Sequence, residues 1–96
     1  MTISIFDLRP VDGRKSFYGK AQVVRFGDWY YLRSYNTFVC AIDSNGNFHR
    51  FWRGYSVTTM RHINAFIDAF GIPGGGKMWW SDLPISDAFD ERVILV

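Results

Sequence analysis

Ninety-six residues make one domain, 1–96, with room for a single core that buries roughly 60–65% of the unfolded surface. The 48% hydrophobic share with 21% charged residues excludes disorder, no apolar run approaches the roughly 20 residues of a membrane span, and the opening residues lack the basic, apolar pattern of a leader. The net charge of +2 hides an asymmetry: residues 1–61 carry nine Lys/Arg and four acids (+5), residues 62–96 two and five (−3), and basic halves often meet phosphates or acidic proteins.

Thr2–Phe6 reads as a short strand, followed by a turn-rich stretch holding Pro10 and Asp12-Gly13. Ala21–Phe26 and Trp29–Ser34 are rich in β-branched and aromatic residues and flank Gly27-Asp28, a two-residue hairpin signal. Thr37–Ile42 and Phe48–Trp52 form a second pair joined through Asn45-Gly46, with Tyr35-Asn36 a bulge or corner between the hairpins. Met60, Ile63, Phe66, Ile67 and Phe70 fall on one helical face. Ser56 or Thr58 offers an N-cap, Tyr55 and Met60 a hydrophobic staple, and Gly71 with Pro73 a stop, while Arg61, Asn64, Ala65 and Asp68 form the solvated face. Beyond Gly76 the pattern predicts a strand over Lys77–Trp80, a capped turn over Ser86–Glu91 and a pairing strand at Val93–Val96, which if unpaired would be a dimer edge. The fold class is α+β: a four- to five-stranded antiparallel meander with one main helix, about 57–70, packed on one face.

Chemical motifs are sparse. Gly71-Ile72-Pro73-Gly74-Gly75-Gly76-Lys77 has phosphate-loop spacing, but Met78 stands where Ser or Thr should reach magnesium, and a helix precedes it instead of a strand. It reads as a connector. Cys40, among Phe38, Val39, Ala41 and Ile42, reads as an inert core thiol and fits a reducing cytoplasm. His49 and His62 have no acid at a pairing spacing, and no metal or cofactor pattern exists. The expectation is a protein that is not an enzyme.

The densest feature is the block Phe17–Tyr55, 39 residues with twelve of the eighteen aromatics, five basic residues and two acids. Rings in that number exceed what one helix covers, so the surplus is expected to face a partner. Trp, Tyr and Arg dominate interface hot spots, and the same pairing stacks bases and neutralises phosphates. Arg33, Tyr35, Arg50, Trp52 and Arg53 are the expected contacts, with Trp79 second.

Ser16-Phe17-Tyr18-Gly19-Lys20-Ala21, Ser34-Tyr35-Asn36-Thr37 and Trp52-Arg53-Gly54-Tyr55-Ser56-Val57-Thr58-Thr59-Met60-Arg61-His62-Ile63 resemble a group of small uncharacterised domains. Those domains are carried by phages, plasmids and other mobile elements of Gram-positive bacteria. The resemblance covers residues 16–70 and brings no catalytic motif. It implies a genomic setting that holds inhibitors of host defence, notably anti-CRISPR proteins, and DNA-handling accessories. The expected function is a non-enzymatic inhibitor of a host nucleic-acid machine, with a protein or nucleoprotein partner such as a CRISPR effector nuclease. The alternative is direct nucleic-acid binding through an aromatic, basic sheet face.

Overall fold

A computed structural model describes residues 3–10 and 16–95. Five strands, β1 (Ile3–Asp7), β2 (Ala21–Phe26), β3 (Trp29–Ser34), β4 (Thr37–Ile42) and β5 (Phe48–Arg50), form one antiparallel sheet in sequence order. Helices α1 (Val57–Ala69) and α2 (Lys77–Asp82) follow, and a 3₁₀ turn spans Glu91–Leu95. The α+β meander is as expected. Thr2, placed in the first strand from sequence, lies outside the described residues.

Local chemistry accounts for the element boundaries. Gly27 takes φ +61 in the β2–β3 turn and Gly46 φ +84 in the β4–β5 turn, as a tight hairpin demands. Tyr35-Asn36 is a two-residue loop between the paired Ser34 and Thr37, and the bulge lies before it, at Leu32/Arg33. β5 stops at Arg50 because the N–H groups of Phe51 and Trp52 both donate to Val39 O, at 2.9 and 3.1 Å, which ends the ladder. Ser56 caps α1, its hydroxyl accepting the Thr59 N–H at 3.0 Å. The C-terminus closes as a Schellman motif: Ile72 N–H donates to Ile67 O and left-handed Gly71 N–H to Asp68 O.

The second half departs from expectation. Lys77–Trp80 is helical, because Gly76 opens the turn and Trp80 N–H closes on Gly76 O at 3.0 Å. Ser86 opens no helical turn; the 3₁₀ turn starts later, where the Asp90 carboxylate accepts the Arg92 N–H at 3.0 Å. Val93–Leu95 belongs to that turn, so the strand expected to pair or to form a dimer edge is absent among the described residues. Ala65, expected on the solvated face of α1, is buried in the core, and Asn64 beside it accepts the Gly76 N–H at 3.3 Å.

The sheet carries two cores. On one face Val23, Leu32, Cys40 and Ile42 pack against Met60, Ile63, Phe66, Ile67 and Trp80. On the other, Val24, Phe26, Tyr31 and Ala41 pack against Val93, with Trp29, Phe38, Phe51 and Phe89 around them. Each fully buried large apolar side chain adds roughly 1.5–3 kcal/mol before entropy. The C-terminal segment is therefore a second covering layer, and most of the rings lie inside.

Arg50 joins these parts. It is only 8% exposed, and no carboxylate faces its guanidinium among the described residues. Nε donates to Trp52 O (2.9 Å), Nη1 to Trp80 O (2.8 Å) and Leu83 O (3.1 Å), and Nη2 to Arg53 O (2.9 Å). The guanidinium lies 4.6 Å over the Trp80 ring, whose Nε1–H donates to Gly54 O at 2.8 Å. Arg50→Ala leaves several buried carbonyls unpaired, and the expected loss is at least about 3 kcal/mol. Arg50→Lys, with a point charge in place of a planar fork, is expected to recover less than half of that loss. Urea unfolding of the two variants measures both.

Candidate functional site

The residues expected to form one contact patch do not. Arg50 is the buried clamp and offers nothing outward. Trp52 is half-buried on the helix side, and its ring passes so close to Gly54 that a Cβ there would stand 2.6 Å from it. Arg33 lies on the opposite face, donating to the Gln22 side chain and lying 5.8 Å from the Phe38 ring. Trp79 packs 5.3 Å from Phe48 and against Gly74. Tyr35 and Arg53 are exposed.

Tyr35 belongs to a different surface, built at the end of the sheet that holds the β3–β4 turn. Tyr18 and Tyr35 both have φ 55 and are 79% and 48% exposed. Left-handed backbone at a bulky residue is a genuine outlier, costing about 1–2 kcal/mol. The fold enforces it: Tyr35 N–H donates to Lys20 O at 2.7 Å, and Lys20 N–H to Phe17 O at 3.0 Å. Lys20 Nζ lies 5.7 Å from the Tyr35 ring. Below them His62 is buried, its Nδ1 2.8 Å from Ser34 Oγ, which also lies 3.0 Å from Thr59 Oγ1. Burial first, then the charges of Arg61 and Lys20, lower the His62 pKa, so it is a neutral tie between β3 and α1. Ser34–Thr59 thus brings the start of α1 to this end, with Arg53 and Tyr55 just before it and Lys77 Nζ 5.2 Å from the Tyr55 ring. No acid occupies the first turn of α1. Asp28 and Asp43 sit in the turns at the far end of the sheet, while Asp7 at this end accepts the Gln22 side-chain N–H at 3.1 Å. Tyr18, Lys20 and Tyr55 were missed because a residue count by strand favours the sheet face over its end.

A second arrangement lies on the far side of β5. Asp43 Oδ1 accepts the N–H groups of Asn45 and Asn47, each at 2.9 Å. Its Oδ2 lies 2.8 Å from His49 Nε2, and His49 Nδ1 lies 2.8 Å from Ser86 Oγ. The His49 bond first, and then the turn N–H groups, hold the Asp43 carboxyl at about 2. With Nε2 donating to the ionised carboxylate, Nδ1 is the ring nitrogen that faces Ser86 Oγ. The ring stacks 4.8 Å from Trp29. Ser86 reaches it because its N–H donates to Arg50 O at 2.7 Å beside the Arg50–Ile85 bridge. The expectation that His49 has no acid to pair with is thus wrong, because hairpin pairing sets His49 opposite Ala41 and makes Asp43 its diagonal neighbour on the same face. Cys40 is buried in the core with its thiol pKa pushed up by burial, and takes no part.

A family model described as "Family of unknown function (DUF8033)" matches residues 6–82, the whole sheet beyond Ile5 and both α-helices, and stops before the segment that covers the second sheet face. No curated protein and no solved structure matches the chain. No helix among the described residues is long and apolar enough to cross a membrane.

Asp43 has a folded pKa below its ordinary 3.8, so its ionisation stabilises the fold above that value, and the contribution is lost as pH falls toward 2. Asp43→Asn is expected to lower Tm at neutral pH and to shrink the fall in Tm between pH 5 and pH 2. Thermal melts of both proteins across that window check the sign.

Proposed function

We propose that this chain, which belongs to the Family of unknown function (DUF8033), is a mobile-element binding protein that docks on a nucleic-acid machine of its host and inhibits it. The surface it grips is the nucleic acid that the machine holds. One observation carries the reading: Tyr18 and Tyr35 are held outward in left-handed backbone beside Lys20, at an end of the sheet away from Asp28 and Asp43. Strained backbone persists where the surrounding structure over-determines it, and it clusters at ligand clamps. Tyr35 and not Asn36 takes positive φ in this two-residue loop, a position that glycine ordinarily fills, so a tyrosine there costs stability and presents a ring.

The chemistry fits a polyanion better than a protein groove. Exposed rings stack on unpaired bases, and Lys20, Arg53 and Lys77 supply phosphate contacts. Both faces of the central strands are covered and only the edge strand β1 is exposed, so the grip is at the end of the sheet and not across it, unlike the aromatic sheet face anticipated from sequence. The resemblance of residues 16–70 to mobile-element domains supports the inhibitory setting, and occupation of a guide or target strand is the simplest route to inhibition.

The test is binding of fluorescent single- and double-stranded oligonucleotides over a salt series. Affinity for the single strand is expected to fall steeply with salt as counterions leave. Tyr35→Gly is expected to weaken binding by about 1–3 kcal/mol, the worth of one stacked base, while leaving Tm unchanged or higher because the backbone strain is relieved. Absence of oligonucleotide binding at low salt overturns the reading.

A further inference from the structure

We infer that Ser86 is an activated nucleophile, and that Asp43, His49 and Ser86 form a relay able to cleave carboxylic esters carrying a short apolar or aromatic acyl group. The relay itself involves none of the tyrosine-surface residues, since Asp43 lies in the β4–β5 turn, His49 in β5 and Ser86 in the C-terminal segment. Its ground is the geometry already given: two contacts of 2.8 Å that link a carboxylate, an imidazole and a hydroxyl in series. The carboxylate is anchored by backbone N–H groups and the ring is fixed by stacking on Trp29, so the series is pre-organised. The ring nitrogens exchange their usual parts, Nε2 facing the acid and Nδ1 the hydroxyl. The chemistry needs one nitrogen free to take a proton and the other held by an anion, whichever is which.

The hydroxyl also opens on a place for substrate. Ser86 lines an open groove of about 430 Å³ whose other walls are Phe38, Phe51, Phe89 and Ile94 together with Asn36 and Thr37, mostly apolar and of ligand size. The Ala88 N–H donates to Ser86 Oγ at 3.2 Å and so orients the hydroxyl oxygen. A latch that merely pinned the C-terminal segment would need no such groove at its hydroxyl.

The step balances with water as the only co-reactant. Ser86 Oγ bonds to the ester carbonyl carbon as its proton passes to His49 Nδ1, and the carbonyl pair moves onto oxygen. Collapse breaks the bond to the alkoxy oxygen, which leaves as the alcohol with the proton from Nδ1. Water then attacks the acyl-serine, gives its proton to Nδ1, and collapse frees the acid as Ser86 Oγ regains that proton.

A fluorophosphonate probe and p-nitrophenyl butyrate test this on the full chain. The expected result is one adduct, mapped by peptide mass to Ser86 in the folded protein and absent in urea, with ester turnover falling at least about 100-fold in Ser86→Ala. Mapping on the unsubstituted chain keeps the test valid even if Ser86→Ala fails to fold. His49→Gln is expected to lose both labelling and turnover. No adduct at Ser86, or equal labelling in folded and urea-unfolded chain, overturns the inference.

Discussion

A guanidinium buried without a carboxylate is the constraint on which the rest of this structure depends. A buried cation is costly unless its donors are met, and here backbone carbonyls meet them. Those carbonyls come from the strand exit (Trp52, Arg53) and from the end of α2 (Trp80, Leu83). The same residue's own carbonyl receives Ser86 N–H. One arginine thereby sets where β5 ends, where Trp80 sits and where the C-terminal segment meets the sheet. Remove the fork and both layers that cover the sheet lose their common anchor.

That anchoring explains where the rings go. With α1 and α2 on one face and the C-terminal segment on the other, Trp29, Tyr31, Phe38, Phe51 and Phe89 close a second core in place of an outward patch. A protein this small gains twice from the arrangement, since each sheet face buries apolar area. Of the rings left outside, Phe6 lies on the edge strand β1 and Tyr55 just before α1, while Tyr18 and Tyr35 lie at turns, where no layer reaches. Tyr18 and Tyr35 stand there at an energetic cost that packing does not repay, which makes them the residues whose presence calls for a binding explanation.

What was legible in the chain was what local chemistry decides. Hairpin turns, β-branched runs, the Ser56 cap and the Gly71 stop specified the sheet and α1 nearly to the residue. Beyond Gly76 the signals conflict. Lys77–Asp82 is too short for a period to tell helix from strand, and its two adjacent tryptophans favoured the strand. Val93-Ile94-Leu95 is apolar and opens with two β-branched residues, yet its fate rests on the non-local core that takes Val93. Arg50 was read as a surface cation because burial of a charge has no sequence signature; only the carbonyls gathered from distant segments make it tolerable. Asp43 beside His49 was readable from hairpin register alone, whereas Ser86, 37 residues further on, was not.

The two candidate sites draw on the fold in opposite ways. The tyrosine surface uses turns and the start of α1, all within the part of the chain that matches the family model. The relay needs Ser86, which lies beyond that match and reaches His49 only through the main chain of Arg50. A nucleophile placed by a covering segment, and an acid–imidazole pair placed by a hairpin, meet because one buried arginine holds segment and hairpin in register. The clamp is thus more than a stabilising device: it supplies the geometry on which any chemistry at Ser86 rests, while the tyrosines are set by Lys20 and Phe17 at the other end of the sheet.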